Sequence, residues 1–388
     1  MSERHAIDIK ELARMLDQHA ASLAPELLPN GRAEGMFWRT SNVADIPTGK
    51  FSLAVNLSGD RIGMWTDFGA ARGAPDRSGD MLKLVAVTRF GGDIREACKF
   101  ARSYLGLDGL DPGRLAVRRA EVSRVQKSAD DKAKKTADWM RRKAQQIYLD
   151  PRAVPIEGTP AEDYLANRAI DLSVLGRVSR ALKFHPAVLC KEANAELPCL
   201  IAAVVNGEGH QIATHRTWLQ RTARGWMKAD LEEPKMCLGK AEGGYIPLHK
   251  GASDATLRHV PTGTDIHVSE GIEDGLTVAS ADPDARVICA IWLDNMHHLP
   301  LPNQMGALVL IGQNDKPGSD AERAMGSVIA RHQEAGRVVK HPKPPAPFKD
   351  FNEMAQAAQA SRQSDGAGAA SPGGSFGTSA ILARAGAA

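Results

Sequence analysis

Two stretches decide how this chain folds: Asp265-Ile-His-Val-Ser-Glu270-Gly-Ile-Glu-Asp274-Gly275 and, further along, Leu308-Val-Leu-Ile-Gly-Gln313-Asn-Asp315-Lys-Pro-Gly318. Each is a short apolar run that stops abruptly at acidic residues and glycine. A buried parallel strand reads as a continuous hydrophobic run, and an open α/β sheet places its chemistry beyond the C-terminal ends of such strands. Two of these ends on neighbouring strands would bring Glu270 and Asp315 within reach of one divalent cation. Mg²⁺ takes one or two carboxylates and leaves its other positions to water and phosphate, so this pattern points to phosphoryl chemistry.

The pattern resembles the Toprim domain shared by bacterial and phage primases, type IA and II topoisomerases and some nucleases. Glu270, Gly271 and Asp274 fit its first motif, a strand ending in Glu-Gly with an aspartate four residues after the glutamate. Asp315 and Gly318 fit the second, Asp-x-Asp-x-x-Gly, whose first aspartate is here Gln313. A third feature, a late Asp-rich turn, is matched by Lys349-Asp350-Phe351-Asn352-Glu353. The resemblance implies Glu270, Asp315 and Asp274 as catalytic residues, with Glu270 as general acid or base or as a metal ligand. It implies Mg²⁺ or Mn²⁺ held by Glu270, Asp315 and Gln313. A glutamine oxygen brings no charge, so metal affinity should fall. Asp274 and Asp320 are carboxylates that could compensate, although an acid in a helix's first turn also serves the macrodipole. Glu273 is expected to face solvent.

Composition sets the bounds. With 388 residues, 43% hydrophobic and 24% charged, the chain can form two or three domains with packed cores. No apolar run reaches the length of about eighteen residues that would indicate a membrane-spanning helix. The first residues, Met1-Ser-Glu-Arg-His5, lead into a polar helix-like segment without a signal-type apolar region. The cysteines, Cys98, Cys190, Cys199, Cys237 and Cys289, form no Cys-x-x-Cys pair, which argues against a disulfide framework or zinc ribbon and for a reducing cytoplasm. Net charge is only +3, but residues 114–143 hold eleven Lys/Arg against four acids. Such a cluster suits either a phosphate-binding surface or a solvated linker helix.

The fold class read from the chain is α/β: a Toprim domain with a Rossmann-like, mostly parallel sheet, preceded by a mixed α+β subdomain and a small N-terminal α+β domain. The N-terminal unit covers 1–108, with a helix over Ile7–Leu23, a hairpin from Phe51–Leu57 to Arg61–Phe68, and helices from Asp80 and Asp93. Gly63-Met-Trp65-Thr-Asp67-Phe68 followed by Ser78-Gly79-Asp80-Met-Leu82 is similar to the zinc-binding domain of primases. No cysteine precedes Cys98, so no zinc is expected. Trp38, Trp65 and Phe68 are the expected anchors, with Trp38-Arg39 on a loop as an alternative contact for an unstacked base. A basic helical linker follows over 109–150, with Trp139, Met140, Ile147 and Tyr148 as a docking stripe. Residues 151–255 read as a β-hairpin domain opened by the helix cap Thr159-Pro160. The Toprim domain spans 256–355, and the Ala/Gly/Ser-rich remainder, 356–388, is expected to be a disordered tail.

Gly158-Thr-Pro-Ala-Glu-Asp-Tyr164-Leu, His215-Arg-Thr-Trp-Leu219 and Pro234-Lys235 are similar to the segment preceding the Toprim fold in plasmid and phage primase-like proteins. The function implied is that of a DNA primase: metal-dependent synthesis of RNA primers on single-stranded DNA in phage or plasmid replication. Arg216, Lys235 and Lys240, with Lys228, are candidate contacts for template or nucleotide phosphate. The implied partners are single-stranded DNA, nucleoside triphosphates and a separate replicative helicase, since no Walker A sequence is present. The alternatives are a catalytically weak or inactive Toprim protein that binds nucleic acid as a replication accessory, and a Toprim nuclease.

Overall fold

The computed structural model describes residues 8–59, 61–71, 74, 76–107 and 112–366, without the side chains of 112–123, 125–126, 129–130, 133 and 363–366. The chain divides into two compact units, Met1–Thr136 and Ala137–Ala388. In the first, helices α1 (Ile9–Asp17) and α2 (Ala20–Leu27) precede strands β1 (Arg32–Glu34), β2 (Phe37–Thr40), β3 (Leu53–Asn56), β4 (Trp65–Asp67) and β5 (Ser78–Gly79). Helices α3 (Met81–Phe90) and α4 (Ile94–Tyr104) follow. The strands form one antiparallel sheet in sequence order. Cross-strand register aligns Trp38, Val55 and Trp65 in one row, the row that meets the helices. Asp80 caps α3 by accepting from the Lys83 amide, and Gly91 ends it at φ 56° in the left-handed region that favours glycine.

Three expectations change in this unit. The single helix read over Ile7–Leu23 is two helices, α1 and α2. Trp38 lies in a strand, not a loop: it packs on the core and its indole donates to the Leu28 carbonyl at 3.0 Å. Trp65 is buried as expected, but Phe68, one residue beyond β4, is 65% exposed and anchors nothing. Both tryptophans follow strand alternation, whereas Phe68 falls just outside it.

Helix α5 (Pro112–Tyr148) carries the basic segment. Its last turns pack in the second unit through Ala144, Ile147 and Tyr148, and the Ala144 carbonyl accepts from Thr214 Oγ1 at 2.8 Å. Trp139 belongs to no such stripe and is more than half exposed. Next come β6 (Val154–Pro155), α6 (Pro160–Asn167), β7 (Leu182–Cys190), β8 (Ala195–Val205), β9 (Gln211–Thr222), β10 (Gly225–Lys228) and β11 (Lys235–Gly239). Thr159 caps α6 as its Thr-Pro sequence predicts. These strands form an antiparallel sheet in the order β10-β9-β8-β7-β6, with β11 also pairing β9. The unbroken burial of Leu200–Val204 follows from cover on both faces: one packs on Trp218 and Val188, the other on Tyr164 and the next helices.

The remaining elements are β12 (Ile246–His249), β13 (Ile266–Ser269), α7 (Ile272–Ala281), β14 (Arg286–Cys289), β15 (Leu308–Leu310), α8 (Asp320–Glu334), β16 (Val339–Lys340) and α9 (Phe351–Gly366). They build a second sheet in the order β12-β14-β13-β15-β16, parallel except for β12. The α/β expectation holds, with β12 joining the sheet from residues read as part of the preceding domain. The tail expectation changes. Helix α9 continues to Gly366, because Asp350 accepts from the Glu353 amide while Glu353 accepts from the Lys349 amide, and Phe351 and Met354 pack on the core. The rest of the expected tail, 367–388, lies outside the described residues.

Candidate functional site: an acidic cleft beside two lysines

The parallel strands β13 and β15 are direct neighbours, so their C-terminal ends place Glu270 and the loop 311–318 side by side. Asn314 is tied down by three bonds: its amide donates to Lys349 O at 2.7 Å, and its side chain donates to Pro344 O and Phe348 O, each at 2.8 Å. With Asn314 turned toward that segment, Gln313 and Asp315 line a cleft of about 170 Å³ together with Glu270, Glu322, His341 and Lys343. Gly312 allows the close packing of this loop, since a Cβ there would lie 2.4 Å from the His341 ring.

Glu270 itself is set by its backbone. The Cys289 thiol donates to the Glu270 carbonyl at 3.2 Å and accepts from the Ile291 amide at 3.3 Å. Ser269 Oγ donates to the Gly271 carbonyl at 2.8 Å. Ile291, two residues beyond the end of the neighbouring strand β14, sits at φ 78°, a strained conformation for a β-branched residue and one that clusters at functional sites. Burial, and after it the charge of Asp315, raise the Glu270 carboxyl above the usual carboxylate range, while Lys235 and Lys349 pull it back. Among the described residues, no hydrogen bond or ion pair reaches the carboxylate of Glu270 or of Asp315.

A second cleft, about 250 Å³, meets the first at Glu270 and is lined by His215, Lys235, Cys237, Glu273, Ile291 and Trp292 among others. Lys235, a candidate phosphate contact, therefore lines a cleft that it shares with Glu270. Burial pushes the His215 imidazole down to about 4, so it is neutral near pH 7. Arg216, one residue along β9, belongs to the other face, where its guanidinium lies 4.9 Å from the Trp218 ring. Lys240 is exposed and pairs with Glu242 at 3.6 Å. The structure brings neither of these two to the clefts.

Asp274 also stands apart from the acidic cleft. Buried in α7, it accepts from the Asn352 amide at 3.2 Å, and burial with Asp350 nearby raises its carboxyl to about 7. It ties α7 to the start of α9. Asp320 is exposed in the first turn of α8 beside Arg323, the macrodipole placement. Glu273 corrects the expectation of a solvent-facing side chain, being only 6% exposed. Tyr164 donates to its Oε1 at 2.6 Å, Lys228 pairs with the same oxygen at 2.7 Å, and Lys235 lies 3.8 Å from Oε2. Burial pushes this carboxyl up, but the two lysines and the Tyr164 hydroxyl outweigh it and hold it well below the usual range. Residues 272–279 of α7 are all buried, so an acid at its second position needs buried partners.

Residues 265–361 match the Toprim domain, and residues 139–248 match a domain of unknown function, DUF7146. The chain thus carries a Toprim domain, and the strand-end acids described above lie within its matched residues. No curated protein sequence matches the chain. Among solved structures it is similar to the zinc-binding and RNA polymerase domains of Aquifex aeolicus primase, at 16% identity over 93% of this chain and 85% of that one, with a TM-score of 0.34. It is also similar to the primase fragment of the bacteriophage T7 primase-helicase protein, at 14% identity over 56% and 80%, TM-score 0.33. A DNA primase domain from Pseudomonas aeruginosa gives 12% identity over 60% and 76%, TM-score 0.35. Among the described residues no helix is long and apolar enough to cross a membrane.

Proposed function

We propose that the protein is a primase-like nucleotidyltransferase that makes short RNA primers on single-stranded DNA in phage or plasmid replication. The observation that carries this reading is one cleft holding Glu270 and Asp315 with no structural partner for either carboxylate, inside a matched Toprim domain. The donor set fits a hard divalent cation. Glu270, Asp315 and Gln313 line one cleft, and the remaining positions would fall to water and phosphate oxygens. Mg²⁺ or Mn²⁺ bound there would supply charge neutralisation at the reacting phosphoryl group. Glu270 would serve either as a ligand of that ion or as the group that takes or gives the proton of an attacking hydroxyl, and Lys235 would meet the triphosphate. Single-stranded DNA and nucleoside triphosphates are the substrates, with a separate replicative helicase as partner.

One observation favours a second reading, a weak or silent nucleic-acid-binding accessory. Gln313 replaces a carboxylate, and no three of the described His, Cys, Asp and Glu side chains are placed to hold one ion together. Primer synthesis with purified protein, single-stranded DNA, nucleoside triphosphates and titrated Mg²⁺ or Mn²⁺ separates the two. Primers from the native protein but not from Glu270→Gln support the enzyme. No primers at any metal concentration, with DNA binding retained, support the accessory.

A further inference from the structure

Glu273 is a buried carboxylate that the proposed chemistry does not use, yet it bridges elements on both sides of the second cleft. It belongs to α7, while Tyr164 comes from α6, Lys228 from β10 and Lys235 from β11. Its two oxygens are unequally engaged. Oε1 takes both short contacts, from Tyr164 at 2.6 Å and Lys228 at 2.7 Å. Oε2 lies 3.8 Å from the Lys235 ammonium, too long for a hydrogen bond but well within electrostatic range.

The lysines differ in the same way. Lys228 is largely buried, with only 27% of its side chain exposed, and is committed to Glu273. Together they form a neutral pair. Lys235 keeps 40% of its side chain exposed, and its ammonium makes no hydrogen bond to any described residue. All three of its donors remain available in a cleft that it shares with Glu270.

We infer that Glu273 is a positioning residue for nucleotide binding: clamped by Tyr164 and Lys228, it holds the Lys235 ammonium at the cleft wall, where that charge meets the triphosphate of a nucleoside triphosphate. The inference rests on the nucleotidyl-transfer reading above. The clamp restricts a long, rotamer-rich side chain before the ligand arrives, which lowers the ordering cost of binding. The Lys228 charge cancels that of Glu273, so the anchor does not repel the incoming phosphates.

Removing Glu273 alone would mix two effects, because it also makes the cleft more positive and leaves Lys228 buried without a counter-charge. The informative variant is Glu273→Gln with Lys228→Met, which removes one charge of each sign. Replacing a buried pair with neutral groups is commonly tolerated, whereas removing one partner is not. Tyr164→Phe, which deletes only one hydroxyl, is the milder companion should the double variant fold poorly. The measurement is the Kd of the full-length protein for Mg²⁺–ATP by titration calorimetry. Lys235→Met is expected to weaken binding about tenfold, the value of one charge-assisted contact. The Glu273/Lys228 double variant is expected to weaken it about threefold to tenfold, Tyr164→Phe about twofold, and neither to add a further loss in the Lys235→Met background. An unchanged Kd in the double variant, or losses that add to that of Lys235→Met, overturns the inference while leaving the nucleotidyl-transfer reading in place. Native protein that binds no Mg²⁺–ATP overturns that reading itself, and the inference with it.

Discussion

The acids of the N-terminal unit and those of the Toprim sheet are put to opposite uses. In the first unit Asp17 accepts from the Met81 amide, Asp67 from Ser52 Oγ and the Gly69 amide, and Asp80 from the Lys83 amide. Asp45 accepts from the Asn30 amide and the Thr40 hydroxyl. Each closes a loop or caps a helix, and is consumed by the fold. At the ends of β13 and β15, Glu270 and Asp315 do no such work. Burial and then the charge of Asp315 raise the Glu270 carboxyl, and a carboxyl perturbed in a cleft without donors marks a candidate binding site. The difference separates acids that hold the chain together from acids held by it.

Mutation tests this division directly. The largest effect is expected from Glu270→Gln, which should cut primer synthesis by about 10³-fold if the carboxyl carries a proton in the reaction. Thermal unfolding should stay level or improve, because no structural bond is lost. A variant that loses activity only by unfolding would erase the distinction. Asp17 supplies the opposite case. Burial raises its carboxyl from 3.8 to about 7. A carboxyl raised in the folded state contributes stability that is complete below pH 4 and is lost as pH rises through about 7. The opening free energy of α1 and α3, from amide exchange corrected for intrinsic rate, should therefore drop by on the order of 3 kcal/mol between pH 4 and pH 8.5. Asp17→Asn should flatten that slope and leave Mg²⁺ binding unchanged.

Gln313→Asp sharpens the comparison from the other side, by adding a third unpartnered acid to the cleft. It is expected to lower the Mg²⁺ concentration needed for half-maximal synthesis about tenfold, and an unchanged requirement would remove Gln313 from the ligand set. The smallest effect is the loss of a cap. Asp80→Ala should cost about 1 kcal/mol in denaturant unfolding of the first unit with no change in metal requirement.

The strand ends were legible because a continuous apolar run broken by Glu-Gly or Asp-x-x-Gly carries both burial and its termination in a few residues. Thr159-Pro160 marked its helix by local cap chemistry alone. What escaped depended on distant partners. Nothing beside Glu273 indicates that Tyr164, Lys228 and Lys235 will surround it. Asp274 matched its motif position, yet α9 claims its carboxylate. The alternation that turns Arg216 away from the clefts while His215 lines one was available in principle. It needed the knowledge of which face of β9 looks toward α7. The helix over 356–366 was hidden by composition, because a low-complexity stretch folds here on a cap and two apolar contacts upstream of it.

Strand β12 has a consequence for how this protein can be divided. Its residues lie at the end of the upstream family match, yet Ile246 pairs with Cys289 and Pro247 with Ile288 in the Toprim sheet. A fragment beginning at Asp265, where the Toprim match begins, would leave β14 as a bare edge, with Val287 and Ile288 open to pairing between molecules. Such a fragment is expected to self-associate. The two matched segments thus share a seam, and an exchange of either with a relative must carry residues 246–249 along with the downstream half.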